Sequence, residues 1–438
     1  MKKYIYLTMM VLAACLTSCR EEADPTIYYG EVSKLAYSTY TEQFHFLWKN
    51  ISTGYVFWDV DTTDWDAKYD TYTPVFQQLD ARVEAGQSVS TRELRDVYKE
   101  VFGGMRDHHM VVYVVNLHKT PGDAGAFSVS PGRISYQARE ERVNESNSAH
   151  QDSIQAYVTD TIVSDYAEAQ AKARIVDHRT ITFDIKNEAL GEVTDIVYSY
   201  NLFKLPDGRY IPYLWQQMAI LTPVLACKGE DSGAGQAAAI LDEYFSKVAT
   251  LPRDSIAGFI LDNRGNSGGY QDDLDYLVGS HLNEEVTLSQ TRYKDGPGRL
   301  EYSPWTDYKQ KPVATYHRDI TSEDIPYVIL CDMASISMGE LETIVAQDVL
   351  PTVHTIGERT YGATGPLQNN QVDLNYASIF GDSSTQKHYV YTSTFEMAFD
   401  GKIYEGVGYE PRQLCIRKEH GCTFRAAIDA ALEYCSEY

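Results

Sequence analysis

Residues Pro326–Gly365 read PYVILCDMASISMGELETIVAQDVLPTVHTIGERTYGATG. Tyr327 to Cys331 is a short apolar run of strand type, and Ala334-Ser335-Ile336-Ser337 turns the chain. Glu340 to Val349 then sets apolar residues at 341, 344, 345 and 349, a helical spacing. Pro351 stops that helix, and Val353 to Ile356 resumes as a strand. A serine between a buried strand and a helix start is well placed for a nucleophile. The helix N-terminus there offers free N–H groups and a partial positive charge to a developing oxyanion. The same residues also fit plain capping, because Ser337-x-x-Glu340 is a capping box.

Outward from this stretch the pattern alternates strand and helix. YIPYLWQQ from Tyr210 reads as strand, Gly235 to Val248 as an Ala-rich helix, and Ile256 to Leu261 as a buried strand. Residues 279–325 are charged and Tyr-rich and read as an insertion, and the core then resumes at Tyr327. Upstream, Lys34 to Gly104 is helical and aromatic, with Ser90-x-x-Glu93 opening a helix that Gly103-Gly104 closes. Met110 to Leu117 reads as a strand, residues 139–155 as a polar loop, and Ile181 to Leu205 as two strands. The expected organisation is a leader at 1–19, a tether at 20–33 and a helical domain at 34–110. A middle region follows at 111–204, either degenerate PDZ-like or β-rich, and then an α/β core at 205–438.

The chain has 438 residues, enough for two or three domains, and a formal net charge of −24. That charge excludes nucleic acid as a partner, since neutralising phosphates needs clustered Lys and Arg. Lys2-Lys3 and the apolar Tyr4 to Leu16 form a leader too short to span a bilayer. It ends in Leu16-Thr17-Ser18-Cys19, similar to the lipobox of bacterial lipoproteins, so Cys19 is the expected lipidation site and Cys15 a second candidate. The reading is a protein anchored by lipid in the outer membrane of a cell envelope, facing the periplasm or the surface. Cysteines 227, 331, 415, 422 and 435 show no CxxC spacing, so no metal and no cofactor is expected. Cys415 and Cys422 are a candidate bridge.

Phe259-Ile260-Leu261-Asp262-Asn263-Arg264-Gly265-Asn266-Ser267-Gly268-Gly269 carries a buried strand into a turn with adjacent glycines. It resembles the D-x-R-x-N-x-G-G signature of the C-terminal processing (tail-specific) proteases, the S41 serine peptidases. Ser335-x-Ser337-x-x-Glu340, Gln347-Asp348, Gly357-Glu358-x-Thr360-Tyr361-Gly362 and Glu405-Gly406-Val407-Gly408-Tyr409-Glu410-Pro411 follow in the family's order. The resemblance covers roughly residues 205–415, with a looser match over 35–115. It implies a ClpP/crotonase-like β-α core, a peptide or unfolded-protein substrate, Ser337 as nucleophile, and an oxyanion hole from the amides of Met338 and of Gly268 or Gly269.

Glu410 stands where the family has an aspartate, Met338 and Gly339 depart from the residues usual after the nucleophile, and a further departure bears on the mechanism. The processing proteases carry a lysine base just after the G-E-x-T-[FY]-G return, and here that residue is Ala363. A tricorn-like branch uses Ser, His and Glu instead, and Asp107-His108-His109 resembles its D-G-H turn. His109 then becomes the base and Glu405 the group that orients it, with Glu396 the alternative. Histidine needs no perturbation for this work, because its ordinary pKa is about 6.5. Two other readings stay open: a catalytically silent relative that binds extended peptides, and a surface lipoprotein that binds glycans through its tyrosines and tryptophans.

Overall fold

The strand read at Tyr327–Cys331 has every residue buried and sits third from one edge of a seven-stranded sheet. The computed structural model describes residues 37–132, 136–163, 173–187, 192–313, 325–350, 352–367, 388–416 and 422–438. The leader and Cys19 lie outside them. The helices are α1 (Tyr40–Gly54), α2 (Trp65–Glu84), α3 (Thr91–Phe102), α4 (Tyr136–Val163), α5 (Leu221–Ala226), α6 (Gly233–Ala249), α7 (Gln271–Gly279), α8 (Met338–Val349) and α9 (Phe424–Glu437). The strands are β1 (Val111–Val115), β2 (Ala126–Val129), β3 (Arg174–Asn187), β4 (Glu192–Lys204), β5 (Tyr210–Gln216), β6 (Phe259–Asp262) and β7 (Val286–Tyr293). They continue as β8 (Thr306–Gln310), β9 (Tyr327–Cys331), β10 (Val353–Gly357), β11 (His388–Tyr391), β12 (Phe395–Ala398) and β13 (Gln413–Leu414). The chain forms two units. The first takes residues up to Pro131, Arg292–Pro304 and Leu367–Glu396, and the second takes Gly132–Thr291, Trp305–Pro366 and Met397–Tyr438.

The second unit is an α/β fold built on the order β13-β10-β9-β6-β5-β4-β3. Strands β5, β6, β9, β10 and β13 run parallel, while β3 and β4 pair antiparallel on the β5 side. Parallel strands need cover on both faces, and the sequence supplies it by alternation. Leu214, Phe259, Leu261, Tyr327 and Ile329 join a cluster with Leu241 of α6, Leu274 of α7 and Ile344 of α8. Tyr213, Trp215, Ile260, Val328 and Leu330 join another with Ile154 of α4 and Ile428 of α9.

Two expectations change here. Residues 139–155 are not a loop but lie within the long helix α4. Its buried positions, Val143, Ser146, Asn147, His150, Ser153, Ile154 and Tyr157, recur at helical spacing, but small polar residues and a histidine fill most of them. Strands β3 and β4, assigned to a middle region, instead extend the core sheet through β5. Within the expected insertion, β7 pairs with β8, while Arg292–Pro304 belongs to the first unit. Cys415 and Cys422 form the disulfide, and Cys331 is a buried free thiol.

The first unit packs α1–α3 through aromatic rings, such as Phe44 stacked on Phe76 at 4.5 Å. Strand β1 pairs with β2 on one side and β11 on the other, both antiparallel. The segment 292–304 is tied to the helices by Arg299, which donates to Asp66 at 2.7 Å and lies 5.1 Å from the Trp58 ring.

Because Ile329 is fully buried in a central strand, Ile329→Ala should lower the unfolding free energy by about 3 kcal/mol. Denaturant titration checks this, with the exposed Val407→Ala expected to cost no more than about 0.5 kcal/mol. Equal costs for the two would contradict the packing described.

Candidate active site

In an open parallel sheet the loops leaving the carboxyl ends of the strands are where ligands and reactive groups gather. Two such loops meet in the second unit, one leaving β6 at Asp262 and one leaving β9 at Cys331. Asp262 is fully buried beside Arg264, whose Nε and Nη2 donate to it at 2.9 and 2.5 Å. Burial alone would raise this carboxyl, but the guanidinium outweighs it and holds the group below the ordinary carboxylate range. Arg264 also donates to the Phe424 carbonyl at 2.6 Å and stacks on the Phe424 ring, which fixes the turn to α9. His150 of α4 stacks on Trp215 at 4.0 Å, and burial pushes its imidazole down to about 4, so it is a neutral packing group.

The loop after β9 is locked from several sides. Asp332 accepts from the amides of Ala334 (2.9 Å) and Gly265 (3.1 Å) and from the Ser146 hydroxyl (2.5 Å). Ser335 donates to the Asn263 carbonyl at 2.7 Å and accepts from the Asp332 amide, so its hydroxyl is committed. The Ile336 amide donates to Asn266 O and the Ser337 amide to Ala363 O, at 2.9 and 3.1 Å.

Ser337 itself has φ 56° and ψ −120°, a left-handed conformation that a non-glycine residue adopts only under constraint. It is the N-cap residue of α8, yet its side chain makes no capping hydrogen bond. The capping box is therefore not what this serine serves. Glu340, its would-be partner, sends its carboxylate across to the amides of Gly362 (2.6 Å) and Ala363 (2.7 Å). Burial pushes Glu340 up to about 7, against the pull of those bonds.

Gly268 lies directly against the serine. A Cβ there would fall 2.7 Å from Ser337 Cβ, and φ is +103°. Its amide is engaged by Asn266 Oδ1 at 3.0 Å. Among the described residues, the amides of Gly269 and Met338 make no hydrogen bond. A Cβ on Gly269 would lie 1.9 Å from the Ala219 carbonyl, so only glycine fits. Glu405 is fully buried in the same unit and accepts through Oε2 from the amides of Thr364 and Gly365, both at 2.6 Å.

Ser337, Gly268, Gly269, Met338 and Glu405 thus belong to the second unit, and His109 to the first. There, Asp107 is fully buried and accepts from the amides of His109 (2.8 Å), Met110 (3.1 Å) and Ser393 (2.8 Å) and from the Thr392 hydroxyl. The Asp107 amide in turn donates to the Tyr55 hydroxyl at 3.0 Å, so the Asp107–His109 turn is braced on its own unit. His108 and His109 are both buried, which sets aside a solvated pair. Sequence reasoning missed the Glu340 clamp, the Asn266 bond to Gly268 and the α4 contacts. The two asparagines at 263 and 266, flanking Arg264 in a turn with two glycines, were the available signal.

Glu396 lies in the first unit, fully buried, with Oε2 accepting from Arg292 Nε at 2.5 Å, and Arg292 also pairs with Asp59. Burial pushes its carboxyl from 4.5 up to about 8, opposed by Arg292 and assisted by Asp59. Between those values the native state holds a proton that the unfolded chain has lost, so this group's contribution to stability falls as pH rises. Glu396→Gln should flatten the decline in unfolding free energy between about pH 5 and pH 8, measured by urea titration. A slope identical to that of the wild type would contradict it.

The sequence model of peptidase family S41 matches residues 233–393. A structure from Parabacteroides merdae ATCC 43184, named as a candidate peptidase, is similar at 18% identity and TM-score 0.56, covering 91% of this chain and 97% of that one. Mature CPAF complexed with lactacystin is similar at 12% identity and TM-score 0.51, covering 93% of this chain and 100% of that one. At such identities the likeness is one of fold. No curated protein matches the chain.

Proposed function

We propose, from the match of residues 233–393 to the model of peptidase family S41, that the chain is a peptidase of that family and cleaves peptide bonds by acyl transfer through Ser337. The observation that carries this reading is the left-handed Ser337 at a strand-to-helix elbow, its hydroxyl unused in capping. Its neighbour Ser335 is excluded as nucleophile by the two bonds its hydroxyl already makes.

In the reaction, Ser337 Oγ attacks the scissile carbonyl carbon as its proton passes to the His109 imidazole. The carbonyl π pair moves to oxygen, and the oxyanion accepts from the amides of Met338 and Gly269. Collapse breaks the C–N bond, and the imidazolium returns its proton to the departing amine. Water, deprotonated by the same imidazole, then releases the acyl group as a carboxylic acid and restores Ser337. Glu405 is assigned as the carboxylate that orients the imidazole; the Arg292 bond that occupies Glu396 weighs against the alternative. Ala363 is fully buried, and its carbonyl takes the Ser337 amide, so the position of the family's lysine serves only the backbone here.

Ser337→Ala should abolish hydrolysis of a peptide library, and His109→Ala should lower kcat by about three orders of magnitude. Activity should fall as pH drops through the imidazole's titration, since the protonated ring cannot accept the serine proton. Full activity in His109→Ala, with loss in Lys387→Ala or Lys402→Ala, would overturn the assignment of the base.

The lipobox-like end of the leader supports a lipid anchor at Cys19. Cys19→Ser should move the protein from the membrane to the soluble fraction on cell fractionation. Retention of that variant, with release of Cys15→Ser, would assign the lipid to Cys15.

A further inference from the structure

Helix α8 carries a second buried carboxyl two residues beyond Glu340, and nothing in the reaction above uses it. Glu342 is fully buried. Its Oε2 accepts from Gln216 Nε2 and Asn263 Nδ2, both at 2.8 Å, while Oε1 has no hydrogen-bond partner among the described residues. No ion pair involves it there, and the charged group that acts on it most strongly is Asp273 of α7, of the same sign. A carboxylate with one bare oxygen and no cation would be left with an uncompensated desolvation cost in such a place. A carboxylic acid would not, because it brings its own donor. Gln216 Oε1, on a side chain already bonded to Glu342, is likewise buried without a hydrogen-bond partner among the described residues. Burial, with Asp273 adding to it, drives the Glu342 carboxyl well above its ordinary range.

From Glu342 a chain of side-chain amides runs to the reactive turn. Asn263 Nδ2 also reaches the Gly339 carbonyl at 3.3 Å, and Asn263 Oδ1 accepts from Asn266 Nδ2 at 3.3 Å. Asn266 Oδ1 accepts the Gly268 amide at 3.0 Å, and Asn266 O accepts the Ile336 amide at 2.9 Å. The chain has no slack, since a Cβ on Gly339 would already lie 2.9 Å from Asn266 Cβ.

We propose that Glu342 is held as a carboxylic acid and acts as a positioning residue. Through Asn263 and Asn266 it keeps the Gly268 amide engaged and the Gly269 and Met338 amides free for the oxyanion. The proposal rests on Ser337 being the nucleophile.

The test compares full-length wild type, Glu342→Gln, Glu342→Leu and Asn266→Ser on one peptide, with melting temperatures and infrared difference spectra. Glutamine reproduces the neutral acid's donor and acceptor, so Glu342→Gln should keep kcat within about threefold. Leucine and Asn266→Ser should each lower kcat by about tenfold to a hundredfold, approaching the loss of an oxyanion donor, with KM little changed. The wild-type minus Glu342→Gln spectrum should show a protonated carboxyl C=O band at neutral pH.

Wild-type kcat in folded Glu342→Leu or in Asn266→Ser would overturn the proposal, leaving Glu342 a packing residue. So would a Glu342→Gln variant as slow as the leucine one, or a carboxylate band in place of the acid. An active Ser337→Ala would instead overturn the premise, and that failure is read separately from the others.

Discussion

Ser337 sits in a backbone conformation that costs an L-residue on the order of 1–3 kcal/mol, and the site depends on that cost being met elsewhere. Around the elbow, Ile336 donates to Asn266, Ser337 to Ala363, Tyr361 to the Ser335 carbonyl, and Ser335 Oγ to Asn263. Each such bond contributes about 1 kcal/mol net, so together they exceed the strain. The bonds come from two loops, the turn after β6 and the return after β10. Those are the places where the asparagine-glycine motif and the Gly357–Gly362 motif stand in the sequence.

The same constraint explains why three carboxylates are buried around one serine. Asp262 fixes the first loop through Arg264, Asp332 ties the second loop to α4 and to Gly265, and Glu340 clamps the return. None of them is a surface charge that found a partner by chance. Each accepts from backbone amides or a guanidinium that would otherwise be buried unsatisfied. Ala363 shows the same logic from the other side. A lysine there would bring a charge, whereas the Ala363 methyl packs within the apolar cluster of Val143, Ala334, Ile336 and Tyr361.

The parallel core was legible because its code is the standard one. Continuous apolar runs at β6 and β9, a helical spacing in α6 and α8, and turn residues between them all point to one architecture. Helix α4 was not legible, because Ser146, Asn147, His150 and Ser153 write its buried face in polar residues. Those positions meet polar atoms: Ser146 bonds Asp332, and His150 stacks on Trp215 with the Tyr213 hydroxyl at 3.1 Å. Hydrophobic periodicity is blind to a helix that packs on a charged network. The capping-box reading of Ser337 and Glu340 failed for a related reason, since a residue pattern cannot show that a carboxylate turns outward to a loop 22 residues away.

Chemical trapping reads the central claim directly. A fluorophosphonate reagent forms a stable phosphonyl ester only with a serine hydroxyl that is activated and exposed to it. After reaction with the full-length protein, peptide mapping by mass spectrometry should place a single adduct on Ser337, with loss of the adduct after acid inactivation. An adduct on Ser335 or another serine, or peptide hydrolysis that persists in fully treated protein with Ser337 unmodified, would contradict the account.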